Sequence, residues 1–315
     1  MTAWKVLITD GLEENGLSIL REAAEVTDRS GVSAEELLDI VGEYDALIVR
    51  SRTKVNAAVF DAACKLKVVG RAGVGVDNID LDAARKRGVI VVNSPTATTI
   101  AVAELTMSMM LSLVRELPRA DASMKEGKWL KKSFQGAELY QKTLGIVGLG
   151  RIGMAVAKRA SAFGMKIIFY DPFVTIEEIH ECGCDPVTLD ELAARSDVIT
   201  LHIPLTDRSR DLFDARRFAM MKDGVYLIDA ARGGIVNEAA LLEALKSGKV
   251  AGAALDVFSH EPPTPELIEL INHPRVIATP HIGAQTVEAQ KRAAHDISTE
   301  ILAALRGEPL RWRAA

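Results

Sequence analysis

The sequence predicts an α/β protein with two doubly wound parallel-sheet domains. Short apolar, β-branched runs alternate with amphipathic helical segments along most of the chain, as in parallel sheets that are covered on both faces. A long apolar helical stretch at 98–117 interrupts this alternation, and we expect it to open a second domain. The length of 315 residues also favours two domains over one.

The first third of the chain predicts a complete small domain. Its helical segments include 13–24 and 80–87, and its strands are continuous apolar runs that need a layer of helices on each face. We therefore expect a flavodoxin-like parallel sheet. Its predicted strands cover residues 6–9, 46–49, 67–70 and 89–92.

A second strand and helix series follows, and its six strands match a complete Rossmann-type sheet. The final helix, 285–305, has no strand after it, so we expect it to pack back on the first domain. The expected domains are 1–94 plus 285–315, and 95–284, with a cleft between them that holds the ligand. The six predicted strands cover residues 143–147, 166–170, 198–202, 225–229, 250–256 and 276–279.

Composition excludes several classes of protein. A net charge of −5 gives no long-range attraction to nucleic acid or to anionic lipid, and a hydrophobic fraction of 48% argues against disorder. Cys64, Cys182 and Cys184 are too few for a disulfide framework, so we expect reduced thiols, a cytoplasmic location and no metal. The alternative, half of a metal site at Cys182 and Cys184, lacks a second ligand pair. Neither a signal peptide nor a membrane-spanning run is evident.

The segment Gly148-Leu-Gly150-Arg-Ile-Gly153 is the most informative motif in the sequence. It follows an apolar strand and opens a helix, as the glycine-rich turn of a dinucleotide-binding fold does. In such a turn the first glycine permits the bend, the second lets the pyrophosphate approach the backbone, and the third lets the helix pack on the strand. The alternative is a turn that serves helix packing only.

The next predicted strand ends at Asp171, eighteen residues after Gly153, where an acidic residue binds the adenosine ribose hydroxyls. A carboxylate here repels a 2′-phosphate, so we expect NAD as the cofactor. A rival turn, Gly70-Arg-Ala-Gly73-Val-Gly75, has Asn78 where its third glycine should fall. We assign that turn to substrate binding.

Three chemically suitable residues follow consecutive strands of the second domain. Oxidation of an alcohol needs a base for the hydroxyl proton and a cation that holds and polarises the substrate. His281 suits the base, Glu261 can raise the pKa of its imidazole and fix the tautomer, and Arg232 can bind a carboxylate bidentately. Each residue taken alone has a structural alternative: a packed histidine, a loop acid or an exposed arginine.

Of the other histidines, only His202, at a strand end before Pro204, is predicted to face the cofactor. His260 precedes a proline-rich loop and is interpreted as a surface residue. The sequence also contains His180, His273 and His295.

With these motifs in place, the chain resembles the D-2-hydroxyacid dehydrogenases over nearly its whole length. The resemblance rests on the glycine-rich turn and on five further motifs, which are Val49-Arg-Ser51, Gly70-Arg-Ala-Gly-Val-Gly-Val-Asp-Asn-Ile-Asp80, Ala231-Arg-Gly-Gly-Ile-Val236, Ala253-Ala-Leu-Asp-Val-Phe258 and Pro280-His-Ile-Gly-Ala284.

By motif position, the resemblance implies roles for particular residues. Arg232, Glu261 and His281 become the catalytic set, and a homodimer, or possibly a tetramer, is the expected assembly. The implied substrate contacts are Arg50, Ser51, Arg71, Gly73, Val74 and Gly75, with the arginines and Ser51 as candidate phosphate ligands. The implied cofactor contacts are Gly148, Gly150, Arg151, Ile152, Gly153, Asp171, His202, Pro204, Ala230, Asp256 and Gly283.

Within the family, the motifs are most similar to those of the enzymes that oxidise 3-phosphoglycerate to 3-phosphohydroxypyruvate, the first step of serine biosynthesis. The sequence ends at Ala315, which implies the short form without a regulatory extension or serine feedback. Two alternatives stay open: a glyoxylate or hydroxypyruvate reductase, and an NAD-sensing corepressor or scaffold. Surface ion pairing is the alternative role of the substrate-loop arginines.

Overall fold

The computed structural model describes residues 4–174 and 183–315, so His180 and Cys182 lie outside the described residues. The chain divides into two compact units. Unit 1 comprises Met1–Thr99 and Ala284–Ala315, and unit 2 comprises Ile100–Gly283. Each unit has its own parallel sheet, which confirms the predicted α/β class with two parallel-sheet domains.

Unit 1 contains a five-stranded parallel sheet in the order β2-β1-β3-β4-β5. The chain passes from β1 to β2 on one side of β1 and then to β3 on the other side, so the strand order reverses between β1 and β3. The strands are β1 Trp4–Ile8, β2 Ala24–Asp28, β3 Ala46–Val49, β4 Val68–Arg71 and β5 Ile90–Asn93. The helices are α1 Glu14–Arg21, α2 Ala34–Ile40, α3 Ala57–Ala62, α4 Leu81–Arg87 and, from the end of the chain, α12 Val287–Arg306.

The last helix, α12, packs inside unit 1 against α1 and β4. Two glycines make this close approach possible. A Cβ on Gly16 would lie 2.7 Å from the Ala294 carbonyl oxygen, and a Cβ on Gly70 would lie 2.8 Å from a side-chain carbon of Ile297. Gly70 therefore serves helix packing, and the C-terminal helix contributes Ile297 and Ile301 to the same core as β1 and β3.

Unit 2 contains a seven-stranded parallel sheet in the order β12-β11-β10-β9-β6-β7-β8. Its strands are β6 Thr143–Val147, β7 Lys166–Tyr170, β8 Asp185–Pro186, β9 Val198–Leu201, β10 Val225–Asp229, β11 Val250–Leu255 and β12 Val276–Ala278. Its helices are α5 Thr99–Val114, which starts at the last residue of unit 1, α6 Leu117–Lys125, α7 Arg151–Ala162, α8 Leu189–Arg195, α9 Ala215–Met220, α10 Glu238–Lys246 and α11 Ile268–Ile271.

The methionine-rich helix predicted at 98–117 is α5, and it lies mostly within the core of unit 2. Met107, Met109 and Met110 are buried in one cluster with the strand residues Leu144 and Ile146. The apolar stretch is therefore explained by packing against the sheet. Short polar caps set the starts of other helices of this unit: Thr188 forms a capping box at α8, and Asn237 caps α10.

Two strands were missing from the sequence prediction. The segment 13–24, predicted as one helix, contains α1 to Arg21 and then the start of β2. β2 is an edge strand whose side chains are only partly buried, so it lacks the continuous apolar run of an inner strand. β8 has only two residues and lies at the other sheet's edge, which makes seven strands where six were predicted.

Within residues 4–174 and 183–315, the model contains no helix that is both long and apolar enough to cross a membrane. The same residues contain no group of three or more acidic, histidine or cysteine side chains arranged to bind a metal ion.

Candidate active site

The candidate site of unit 2 lies along the carboxyl ends of its parallel strands. β6 and β9 are neighbours at the point where the strand order reverses, and ligands of open α/β sheets bind outside such a point. The glycine-rich turn follows β6, and His202 follows β9. The His202 N–H donates to the Val147 carbonyl at 2.7 Å, which joins the two strand ends.

The three glycines of the turn have different physical reasons to be glycine. Gly148 has a φ of +93°, and a Cβ there would lie 2.6 Å from the His202 carbonyl oxygen. A Cβ on Gly153 would lie 2.1 Å from the Gly148 carbonyl oxygen, so this glycine lets α7 pack on the turn. At Gly150 an added Cβ meets no described atom within 4 Å. The structure of the protein alone therefore does not require glycine at 150, whereas close approach of a ligand does.

The N-terminus of α7 is suited to bind a phosphate group. Gly150 is its N-cap and supplies no side-chain hydrogen bond, so the first-turn N–H groups of Arg151 and Ile152 are left for another acceptor. Asp171, just after β7, accepts the Leu149 N–H at 2.9 Å and the Phe173 N–H at 2.9 Å. Its carboxylate is thus fixed beside the turn, as the predicted ribose contact requires.

His202 adds a polar atom that lacks a partner. Its Nε2 lies 3.1 Å from Thr200 Oγ1, whereas its buried Nδ1 has no hydrogen-bond partner among the described residues. Burial lowers the pKa of His202 to about 3, so the ring is neutral at physiological pH. Pro204 is exposed, and its carbonyl accepts the Ser209 hydroxyl at 2.7 Å, which closes the loop after β9. The glycine turn, the open helix end and this orphaned nitrogen together fit a dinucleotide.

At the other end of the sheet, the structure brings His281 and Glu261 together. His281 Nδ1 lies 2.7 Å from Glu261 Oε2, and the second carboxylate oxygen accepts the Phe258 N–H at 3.2 Å. An ionised carboxylate can only accept, so Nδ1 carries the hydrogen and Nε2 holds the lone pair. Both side chains are partly exposed, at 44% and 37%, so a ligand can reach the imidazole.

The electrostatics keep Glu261 ionised. Burial alone would raise the pKa of this carboxyl, but the hydrogen bond and charge of His281, the Phe258 N–H and the charge of Arg232 outweigh it. The net pKa of Glu261 is below its ordinary value. The carboxylate can therefore stabilise a positive charge on the imidazole at neutral pH.

Asp256 holds the loop that carries His281. Its carboxylate is only 1% exposed and accepts three hydrogen bonds, from Thr279 Oγ1 at 2.5 Å, from Ile282 N at 2.8 Å and from Gly283 N at 2.8 Å. His281 lies between these donors with a φ of +54°. This left-handed conformation costs on the order of 1 kcal/mol in a residue with a side chain, and the hydrogen bonds on both sides of it enforce it.

Arg232 follows β10 in a loop that is fixed by Asp229. The Asp229 carboxylate accepts the N–H groups of Ala231, at 2.9 Å, and of Arg232. The next residue, Gly233, lies so close to the Glu261 loop that a Cβ would be 1.8 Å from the Phe258 carbonyl oxygen. The Arg232 and Glu261 loops are therefore packed against each other through their backbones.

A glutamate that the sequence analysis did not single out links the start of α10 to the loop that carries Glu261. Glu238, at the start of α10, accepts the Ser259 N–H at 2.8 Å and the Ser259 hydroxyl at 2.5 Å. Ser259 lies two residues before Glu261. The sequence shows Glu238 only as an acidic residue in the first turn of a helix. A favourable interaction with the helix dipole already accounts for an acidic residue there, so nothing in the sequence indicates the contact with Ser259.

In unit 1, the predicted substrate residues Arg50, Ser51 and Arg71 lie at the carboxyl ends of β3 and β4, which are paired neighbours. The loop after β3 is organised by Asp10, another residue that the sequence did not single out. Its carboxylate accepts the N–H groups of Arg50, at 2.7 Å, and of Thr53, at 3.1 Å. The buried carboxylate thus fixes the backbone from which Arg50 extends.

The glycine loop after β4 is folded on itself. Gly73 has a φ of +147°, and a Cβ there would lie 1.6 Å from a guanidinium nitrogen of Arg71. The N–H groups of Ala72 and Gly73 donate to the Val49 and Arg71 carbonyls, at 2.9 and 2.8 Å. The N–H groups of Ala72 and Gly73 are therefore engaged within the protein, and those of Val74 and Gly75 remain as candidate donors to a substrate.

A family model described as the D-isomer specific 2-hydroxyacid dehydrogenase, NAD binding domain, matches residues 107–283, which is most of unit 2. The chain belongs to this family. Unit 2 is accordingly its NAD-binding domain, and NAD is the cofactor that the glycine-rich turn and Asp171 fit.

Two curated relatives share one name. D-3-phosphoglycerate dehydrogenase of Methanocaldococcus jannaschii is 51% identical, over 96% of this chain and 58% of its own length. The human protein of the same name is 47% identical, over 97% of this chain and 57% of its own length. The chain thus spans a little more than half the length of these relatives.

Solved structures in the same family carry other names. A glyoxylate reductase from Paecilomyes thermophila has a TM-score of 0.91 at 30% identity, over 100% of this chain and 99% of its own. A D-lactate dehydrogenase from Aquifex aeolicus, solved with NAD and lactic acid, has a TM-score of 0.85 at 32% identity, over 96% of each chain. One two-domain fold therefore occurs in proteins named for different acids.

The glycine-rich turn gives a test of cofactor binding that is separable from folding. Because a Cβ at 150 meets open space, Gly150→Ala should fold and lose only a few degrees of melting temperature, since alanine is the poorer N-cap. It should bind NADH about tenfold more weakly or worse, since the methyl group intrudes on the pyrophosphate. Gly153→Ala is the contrast, because its Cβ collides with the Gly148 carbonyl and should lower the melting temperature. Fluorescence titration with NADH and thermal unfolding measure both; wild-type NADH affinity in a folded Gly150→Ala would contradict the assignment.

Proposed function

We propose that the chain catalyses the NAD-dependent oxidation of D-3-phosphoglycerate to 3-phosphohydroxypyruvate, the first step of serine biosynthesis. The observation that carries the chemistry is the 2.7 Å contact between His281 and the ionised Glu261. It supplies a base whose lone-pair nitrogen is fixed by its partner. The choice of acid is supported by relatives named D-3-phosphoglycerate dehydrogenase at 47–51% identity.

Bound NAD supplies the hydride acceptor, and the residues of this chain manage the proton and the substrate. His281 Nε2 takes the proton of the C2 hydroxyl while the hydride leaves C2, and the C–O bond becomes a carbonyl. Glu261 stabilises the imidazolium that results, since an ionised carboxylate at 2.7 Å favours the protonated ring. Arg232 binds the substrate carboxylate and polarises the forming carbonyl.

The proposed cofactor contacts extend along the strand ends of unit 2. A carboxylate has roughly four acceptor positions, and the three bonds accepted by Asp256 leave one for an amide of the nicotinamide. The unpartnered His202 Nδ1 is a second available group. The remaining proposed contacts are Gly148, Gly150, Arg151, Ile152, Gly153, Asp171, Pro204, Ala230 and Gly283.

The loops of unit 1 are the proposed substrate selectors. The N–H groups of Val74 and Gly75 offer donors to the substrate carboxylate, and Arg50, Ser51 and Arg71 offer donors to a phosphate. Within residues 4–174 and 183–315, the Arg50 guanidinium forms no ion pair, which supports a ligand over a surface salt bridge.

The base is tested by substitution. His281→Ala should lower kcat by about two to four powers of ten, because the hydroxyl proton loses its acceptor, while NADH affinity stays at the wild-type value. His260→Ala is the matched control, since this exposed histidine lies in the same loop as Glu261. Steady-state kinetics and NADH titration decide; undiminished kcat in His281→Ala removes the role.

The substrate is tested by a panel. With NAD, kcat/KM for 3-phosphoglycerate should exceed that for D-glycerate, and NADP should be a poor replacement because of Asp171. Arg50→Gln should reduce kcat/KM for 3-phosphoglycerate by about tenfold or more, the loss of one hydrogen bond to a charged group, and should leave D-glycerate unaffected. Lys54→Gln, another exposed cation of the same loop, is the control.

The panel also separates the alternatives. Preference for glyoxylate or hydroxypyruvate, with no effect of Arg50→Gln, would identify a reductase of unphosphorylated acids, as the name of one structural neighbour suggests. Tight NADH binding without turnover of any hydroxy acid would favour a corepressor or scaffold.

We also propose a homodimer, formed through the segment 117–130, which follows α5 in unit 2. Exposed apolar side chains are concentrated there, with Trp129 78% exposed and Leu117, Met124 and Leu130 also exposed. The net charge of −5 supports neither a nucleic-acid nor a membrane partner, and the scarcity of cysteines supports a cytoplasmic location.

The dimer is tested by mass. Light scattering after size exclusion should give twice the chain mass of 34.0 kDa, and Trp129→Glu should shift the protein towards monomer because a charge is placed in an apolar interface. Ile268→Glu, at an exposed apolar position on α11, is the control and should leave the mass unchanged. A monomeric wild-type protein, or a Trp129→Glu dimer of undiminished stability, contradicts this interface.

A further inference from the structure

Asp229 is a buried carboxylate at the end of β10, and the chemistry proposed above gives it no task. Its side chain is only 2% exposed. It accepts the N–H groups of Ala231 and Arg232, so it is bonded to the backbone of the residue that is proposed to bind the substrate. A charged carboxylate in such a place is costly unless nearby groups compensate it.

The groups that face Asp229 compensate it only in part. Arg232 lowers its pKa by charge and Glu238 raises it, but burial is the largest effect and raises the pKa of Asp229 to about 7. On the neighbouring strands, its register partners are Leu201 and Leu255, which provide no charge.

The next residues along those strands are His202 and Asp256. His202 is neutral, because burial lowers its pKa to about 3. The Asp256 carboxylate is occupied by the His281 loop, and its backbone N–H donates to the Asp229 carbonyl at 2.8 Å. Arg232 is therefore the main positive charge that an ionised Asp229 faces.

A substrate carboxylate at Arg232 changes this balance. It brings a second negative charge to the same guanidinium, and a like charge nearby favours the neutral form of a buried acid. Coupling between two binding events is reciprocal, so protonation of Asp229 must in turn strengthen the binding of the anion. A protonated Asp229 still offers an oxygen to the two N–H groups, so the loop is retained.

We propose that Asp229 is a positioning residue that holds the Arg232 loop and takes up a proton when the substrate carboxylate binds. This inference rests on the proposed function of Arg232. It makes anion binding tighter at lower pH, independently of the base His281. Because Asp229 is only 2% exposed, its role would be exerted through Arg232 and not by direct contact with substrate or cofactor.

Calorimetry tests the proton uptake. D-glycerate is the probe, because it carries the 2-hydroxycarboxylate but no group that titrates near neutral pH. It is titrated into protein saturated with NADH, where no turnover occurs, in two buffers of different ionisation enthalpy at pH 7.5. Wild type should take up about half a proton per D-glycerate, if binding raises the pKa of Asp229 by about one unit.

Two variants assign that proton. Asp229→Asn keeps an oxygen for the Ala231 and Arg232 N–H groups but cannot titrate, so the uptake should be lost and affinity should no longer rise between pH 8 and pH 6. His281→Gln should retain the uptake. In wild type alone, infrared difference spectra should show the carbonyl band of a newly protonated carboxylic acid when D-glycerate binds, which no imidazole produces, so the test survives a variant that does not fold.

The outcomes separate this inference from the proposed function. If D-glycerate binds wild type without proton uptake, or if Asp229→Asn takes up as much proton as wild type, the role of Asp229 is wrong. The proposed function is then unaffected. Failure of wild type to bind D-glycerate at all, with Arg232→Gln no different, overturns the anchor role of Arg232 and with it this inference.

Discussion

The candidate site depends on how a buried carboxylate holds the loop after β12. Asp256 accepts three hydrogen bonds from residues on both sides of His281, and these bonds keep His281 in a left-handed backbone conformation. In this conformation the imidazole lies 2.7 Å from Glu261. The proposed base is therefore positioned by the residue that follows the neighbouring strand β11, and Glu261 selects its tautomer. A flexible loop with the same side chains would hold neither in place.

Neighbouring strands of unit 2 end in two buried aspartates with different surroundings. Asp256 accepts three donors from the adjacent loop, whereas Asp229 has backbone donors from its own loop and Glu238 as an unfavourable neighbour. Burial is the main cause that raises the pKa of Asp229 to about 7, and the charge of Glu238 adds to it. One carboxylate thus fixes geometry, while the other can change its charge within the physiological range. Each carboxylate accepts backbone N–H groups from a loop that carries a residue proposed to act on the substrate, His281 for Asp256 and Arg232 for Asp229.

Much of this arrangement could be predicted from the sequence, because it follows from local patterns. The inner strands are continuous apolar runs, and the glycine-rich turn has a fixed spacing between strand and helix. The edge strands β2 and β8 could not be predicted, since an exposed or two-residue strand has no such run. Asp10 and Glu238 were also missed, because each acts on a loop that is distant in sequence, about 40 and 21 residues away. Their roles depend on tertiary contact alone.

The distribution of residues between the two units has a consequence for specificity. The glycine-rich turn, Arg232 and the proposed base His281 with Glu261 all belong to unit 2. The contacts of Asp256, Glu238 and Gly233 hold the loops that carry Arg232, Glu261 and His281. The arginines that are proposed to recognise a phosphate belong to unit 1, where Asp10 fixes the loop that carries Arg50. On the proposed function, a change in the unit 1 loops would alter the acid that is bound without disturbing the groups proposed for proton transfer. Such a division is consistent with one fold, at TM-scores of 0.85 and 0.91, occurring in proteins named for lactate and for glyoxylate.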